Sequence, residues 1–350
     1  MATHIMQTNV LSFGTCLSVK LSWKIKSEDF IRGQENDSNT AIMVAMPDKL
    51  KYSLIMFLAG SCYGFVVPLV RTAQNAHYNT GDIMVSQYLV AAVALSIVCL
   101  LFSRRKVGLK DALKLLGMGV VAASVSFFYY QSLLLVSPAT SLTLLFQFVW
   151  MGMVFEAIRT KTLPRITAVL AVSLVVIGAV LATGMLDEGV ALESLHPLGI
   201  LFGLLSAVSY TAFLMLSSRV ATSLPALNRT MFTAIGSFVI ALAIAPTYFE
   251  HALLVIDPLL SIALGLAGIC IPVYLIAVSA PKLPAGLATV MASSELPSGV
   301  ICASIFLGET VSLIMGLGVV IVLVGILLSE LESMRSLRKA QKKSLPSEKG

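Results

Sequence analysis

The sequence predicts an all-α integral membrane protein of ten transmembrane helices, arranged as two inverted five-helix repeats. Three observations predict it: a run of apolar stretches, a one-sided distribution of loop charge, and an internal match between the halves. The 350 residues are 57% hydrophobic and 12% charged, against about 25% charged in a soluble domain. A helix rises about 1.5 Å per residue, so about 20 apolar residues cross a hydrocarbon layer about 30 Å thick. Stretches of this kind lie at 52–70, 83–103, 113–135, 138–158, 163–184, 197–217, 229–249, 258–279, 284–307 and 311–331. Pro47, Pro138, Pro164, Pro197, Pro258 and Pro284 stand at or near their starts, where a missing N–H is harmless. The connections leave no room for a separate soluble catalytic domain.

Loop charge orients the spans. Of the 24 Lys and Arg, four lie in the first 48 residues. With the N-terminus inside, Arg71 alone falls in an outside segment and the remaining 19 fall inside. The acidic residues Asp187, Glu188, Glu193, Glu250 and Asp257 fall outside. This is the positive-inside pattern, and it places both termini in the cytoplasm of a plasma membrane protein (the inner membrane in a bacterial cell). The formal charge of +6 does not point to nucleic acid, because the cations sit at helix ends and no Arg-rich stripe interleaves with aromatics. The bilayer itself is the expected macromolecular partner. Residues 1–48 read as a disordered cytosolic tail, with Met43 and Met46 as alternative starts, and 332–350 as a basic cytosolic tail.

A shift of 147 residues aligns Tyr63 with Tyr210, Leu58 with Leu205 and Gly178 with Gly325. The first repeat is expected at 49–184, a linker at 185–196 and the second repeat at 197–331. A five-helix unit ends on the face opposite its start, so its second copy enters upside down. This is a common plan for carriers, with the site near the midplane between repeats. Gly60 with Gly64, and Gly199 with Gly203, form GxxxG pairs suited to close helix packing.

Glu295 is the most telling residue. A carboxylate in the middle of a span costs about 2.5–3.5 kcal/mol on insertion scales, so it faces a cavity, a partner or a proton. Pro297 leaves the carbonyl of Ser293 without its usual partner and is expected to kink the ninth span there. Arg71 reads either as an anion-binding group or as a cation capping the end of the first helix. Tyr63, Tyr130, Gln147, Tyr210 and Tyr274 are polar or polar-aromatic groups within spans, where such groups need partners or water; packing is the alternative for each. The five cysteines, Cys16, Cys62, Cys99, Cys270 and Cys302, form no CxxC pair, and neither a metal nor a cofactor is expected.

The stretch from Glu295 through Leu296, Pro297, Ser298 and Gly299, running on to Leu307-Gly308-Glu309, resembles the signature of EamA-type members of the drug/metabolite transporter superfamily. Ser206-Ala207-Val208-Ser209-Tyr210, then Arg219, is similar to that family's sixth-helix pattern, and Gly316 and Gly325 resemble its tenth-helix glycines. The resemblance covers roughly residues 52–331. It implies ten helices, two repeats, cytosolic termini and transport of small metabolites or drugs, often by export. Leu296 intervenes between the Glu and Pro of the family pattern. Phe148-Val149-Trp150 stands in the first repeat where Glu295 and Pro297 stand in the second, so the acidic site is not duplicated.

The leading expectation is a secondary transporter: an alternating-access exporter of a small metabolite, amino-acid-like solute or drug, with proton coupling through Glu295. The alternatives are an uncoupled facilitator or channel, or a non-transporting scaffold. An enzyme is not expected: His4, His77, His196 and His251 lie in the tail or outside loops, and neither HExxH nor GxSxG occurs. Single cysteines placed at Lys106 and Asp187 are expected to react with a membrane-impermeant label from opposite faces. Labelling of both from one face would overturn the inversion.

Overall fold

Hydrocarbon offers no partner to a backbone N–H or C=O, so apolar chain at this depth must satisfy itself as helix. The computed structural model describes residues 48–103, 105–184, 196–245, 256–308 and 310–344. Among them run α1 (Lys49–Asn75), α2 (Thr80–Phe102), α3 (Leu109–Leu133), α4 (Pro138–Thr160), α5 (Ile166–Ala182), α6 (Pro197–Ser217), α7 (Ala226–Ile244), α8 (Pro258–Lys282), α9 (Ala285–Phe306) and α10 (Leu313–Ser344). Nine are long and apolar enough to cross a membrane; α5, with 17 residues, is the shorter tenth. The expected tail at 1–47, the acids Asp187, Glu188, Glu193 and Glu250, and Glu309 of the Leu-Gly-Glu motif lie outside the described residues.

Local chemistry sets the helix starts. The Asn79 side chain accepts from Gly81 N at 3.2 Å, Ser137 Oγ from Thr140 N at 3.2 Å, and Asp257 Oδ1 from Leu259 N and Leu260 N at 2.8 and 3.2 Å. Pro138, Pro197 and Pro258 each open the helix they begin. At the other end, the helix of α10 runs past the expected span end at Leu331 to Ser344, into the stretch expected as a basic tail. Neither Gly nor Pro interrupts 329–344, and strong helix formers dominate it, so leaving the bilayer does not end the helix.

Two helices are broken at corresponding places. α4 divides into Pro138–Leu145 and Phe148–Thr160, and α9 into Ala285–Ala292 and Glu295–Leu307. Every boundary is displaced by 147 residues. The backbone matches in detail: Gln147 N donates to Leu144 O and Ser294 N to Met291 O, both at 3.2 Å, while Val149 N donates to Phe146 O and Leu296 N to Ser293 O, again both at 3.2 Å. These i→i−3 bonds tighten the chain into a turn of 3₁₀ type. Pro297 does not by itself cause the break, because Trp150 holds its position in α4 and the same turn forms. The second halves end alike as well, Lys161 at φ 53° and Gly308 at φ 68°. α8 carries a different irregularity, a π-helical segment at Leu266–Cys270 just before Pro272.

The repeats pack about a twofold axis. α5 lies along α10. A Cβ on Gly178 would meet Val322, and a Cβ on its image Gly325 would meet Val175, the image of Val322. The pairing of 178 with 322 and of 175 with 325 runs antiparallel, as inverted copies require. Likewise α1 packs on α8 as α6 packs on α3, and α2 meets α7 across the axis. Gly60 and Gly64 bring α1 against the α9 break: a Cβ on Gly60 would collide with Ala292 O and Ser294 Oγ. Gly199 and Gly203 seat α6 against Leu135, Val136 and Leu144. Gly60→Ala is expected to destabilise by about 1–3 kcal/mol, read as a lowered unfolding midpoint in detergent. Gly117→Ala, where no heavy atom lies within 4 Å of the added carbon, should leave the midpoint unchanged or raise it.

Candidate functional site

Between the repeats lies a cavity of about 180 Å³. Its lining descends from Gln74 and Arg71 near the end of α1, Pro138 at the start of α4 and Thr183 just past α5 to Glu295 at the α9 break. Those helix ends share one membrane face, here termed distal; α1 begins on the opposite, proximal face. The lining combines apolar residues, among them Val66, Val70, Leu142 and Phe213, with hydroxyls from Tyr88, Ser126, Tyr129, Tyr130 and Ser237.

Glu295 opens the second half of α9, where the positive end of the helix dipole favours a negative charge. The break also holds it by its neighbour: Ser294 Oγ donates to Phe57 O of α1 at 2.6 Å. The Glu295 carboxylate acts electrostatically on the hydroxyls of Tyr63, Tyr129 and Tyr210, and Arg71 acts on Tyr129. Tyr63 and its image Tyr210 meet edge to face, with centroids 6.1 Å apart and planes at 87°, so the pseudo-twofold axis passes between them. Phe148, the image of Glu295, instead packs its ring 4.6 Å from that of Tyr210. One backbone position thus carries a carboxylate in one half and an aromatic ring in the other. Tyr88 Oη lies 3.0 Å from Ser126 Oγ and donates to Ala122 O at 3.4 Å. The buried Tyr210 hydroxyl has no hydrogen-bond partner among the described residues.

Of the residues singled out from sequence, Glu295, Arg71, Tyr63, Tyr130 and Tyr210 come together in this lining. Arg71 does not end its helix, which runs on to Asn75. Gln147 and Tyr274 lie outside the lining. Gln147 sits in the α4 break, where Nε2 donates to Thr143 O at 3.0 Å and Oε1 accepts from Trp150 Nε1 at 2.8 Å. Tyr274 lies on the outer face of α8, 39% exposed, because the turn of that helix directs Val273 inwards instead. Sequence reasoning passed over Gln87, Tyr88, Thr233 and Ser237. The adjacent polar pair Gln87-Tyr88 inside the apolar α2 was the available signal.

The central cavity does not reach the proximal face, where a separate pocket of about 300 Å³ lies beside Glu156, Arg165 and Gly286. The second half of α4 packs on the first half of α9. There Glu156 Oε2 accepts from Gly286 N, Thr289 Oγ1 donates to Val149 O at 3.3 Å, and the Thr289 side chain fills the space a Cβ on Gly152 would take. Arg165 pairs with Glu332 at 2.6 Å, joining the start of α5 to α10. Arg229, 2% exposed, donates to Val220 O at 3.1 Å, to Ala277 O at 2.8 Å and to Ser217 O. The repeat images of the packed halves, the first half of α4 and the second half of α9, form no comparable contact at the distal face.

The model of the EamA-like transporter family matches the chain twice, over residues 50–184 and 197–331. The chain belongs to the EamA-like transporter family. Its two matched segments coincide with the two halves related by the 147-residue shift, so the broken α4 and α9 are equivalent members of two EamA units. The EamA chain is also similar to a solved crystal structure described only as that of a protein, with a TM-score of 0.67 at 16% identity, covering 80% of this chain and 98% of the other. At that identity the likeness concerns the fold. No curated protein matches the EamA chain. The family makes this a multi-pass membrane protein of transporter type.

Within the cavity, Tyr88→Phe removes a bonded hydroxyl and Tyr210→Phe an unbonded one. The first is expected to cost about 1 kcal/mol and the second close to nothing, compared through unfolding midpoints in detergent.

Proposed function

We propose that this protein is a secondary transporter working by alternating access, which exports a small metabolite, amino-acid-like solute or drug across the plasma membrane. One observation carries the reading. Equivalent halves of α4 and α9 are packed at the proximal face and apart at the distal face, with a polar-aromatic cavity reaching from the midplane to the distal side. Two inverted copies in unequal conformations define a second state in which those conformations are exchanged. In that state the distal halves pack, the bonds of Glu156 and Arg165 open, and the cavity meets the proximal face.

Glu295 is the proposed coupling or binding group, because it stands at the break and therefore at the pivot. It would take a proton or a cationic group of the solute, with Arg71 holding an anionic group nearer the distal mouth. Tyr63, Tyr130 and Tyr210 supply surfaces for apolar or aromatic parts. The excess of loop cations supports a cytoplasmic proximal face, and with it cytoplasmic termini.

Counterflow in proteoliposomes tests the carrier reading, using a panel of metabolites and drugs. A carrier shows stimulation by solute on the far side, whereas a channel does not and a scaffold moves nothing. Glu295→Gln is expected to lower flux by about tenfold, equivalent to about 1.4 kcal/mol, and to flatten its dependence on pH. Unchanged flux and unchanged pH dependence would remove the coupling role from Glu295.

A further inference from the structure

A second buried carboxylate, remote from the cavity, stands in an unusual position. Glu330 lies near the proximal end of the apolar part of α10, and both of its oxygens are buried without a hydrogen-bond partner among the described residues. A buried carboxyl in apolar surroundings calls for an explanation: a proton, an ion or an unseen water. The repeat shows how those surroundings arose. The image of Glu330 is Thr183, which lines the distal cavity and whose Oγ1 lies 2.9 Å from Thr143 Oγ1. The image of Thr143 is Val290, 1% exposed. A hydroxyl pair in the first repeat has thus become a carboxyl facing an apolar residue in the second.

Helix α1 contributes the neighbouring polar groups. Ser53 is 1% exposed, and its hydroxyl also has no hydrogen-bond partner among the described residues. That hydroxyl and the Lys49 ammonium are the groups that act on Glu330. Glu156 of α4 acts in turn on Lys49. Arg165 and Glu332 are joined to each other two residues nearer the proximal surface. The first half of α9, which packs on α10, contributes no charged residue.

We infer that Glu330, together with the Ser53 hydroxyl, forms a proton-binding site served from the proximal face and separate from Glu295. Bound to one Glu330 oxygen, the proton neutralises a carboxyl held among apolar groups, and the Ser53 hydroxyl is the donor beside the other oxygen. The proton arrives from proximal water and returns to it; no other bond is made or broken. A metal cation fits less well, since one carboxyl and one hydroxyl provide few oxygens for it. The site has a place in transport, and this clause rests on the carrier reading. When the repeats exchange conformations, Glu330 takes the position Thr183 now holds at a cavity mouth. Each face would then have its own ionisable group, Glu295 reached distally and Glu330 proximally.

Infrared difference spectroscopy of the full chain in lipid tests the site without reference to transport. The wild type is expected to show a protonated-carboxyl C=O band that disappears as pH is raised. The band should remain in Glu295→Gln, disappear when Glu330→Gln is added to Glu295→Gln, and shift in frequency when Ser53→Ala is added instead. A band that persists in the Glu295→Gln, Glu330→Gln double variant overturns the assignment, as does a band abolished by sodium at constant pH. Should Glu330→Gln fail to fold, Ser53→Ala decides: a shifted band supports the site and an unshifted one overturns it. Loss of wild-type counterflow with the band intact sinks the carrier reading alone.

Discussion

Every other feature of this molecule depends on the absence of hydrogen-bonding solvent around its backbone. An unpaired peptide group in hydrocarbon costs several kcal/mol, so a break in a transmembrane helix survives only where protein covers it. The breaks in α4 and α9 meet that condition in two ways. The chain tightens to i→i−3 bonds, which keeps donors occupied, and a neighbouring helix is drawn in close. At α9 the neighbour is α1, admitted by Gly60 and tied by Ser294 Oγ to Phe57 O. The position of Glu295 follows from this covering, because its depth and direction are those of the first residue after the turn.

The two halves share a backbone plan and differ in what they place on it. Identical turns lead to Phe148 in one and Glu295 in the other, and similar positions hold Thr183 and Glu330. The scaffold is therefore close to symmetric, while its charge is not. That combination suits a device whose two orientations must be equally foldable yet respond differently to solutes and protons. It also explains the proximal bonds of Glu156 and Arg165. Their images are Ala303 and Ser312, so neither contact has a charged counterpart at its image position.

Much of the fold was legible in the sequence because the bilayer imposes a strong rule. Apolar length located the helices, and an odd number of helices per repeat forced the inversion. Tyr63, Tyr210 and Glu295 stood out for a related reason, being polar groups where such groups are costly. What failed to show was helical phase. Tyr274 and Val273 are neighbours in a helix that is apolar on all sides, so nothing local says which faces inwards. Gln147 looked like a site residue, but its amide is occupied by Thr143 and Trp150 within its own broken helix. The break in α4 was hidden altogether, since it lacks the proline that drew attention to α9.

The left-handed corners at Lys161 and Gly308 hold one more consequence. Glycine adopts this conformation freely, whereas a lysine pays about 1–2 kcal/mol of steric penalty. Both corners turn the chain alike, yet the lysine stands at the proximal end of its helix and the glycine at the distal end of the image helix. Glycine in place of Lys161 would relieve that strain and take one cation from the proximal rim.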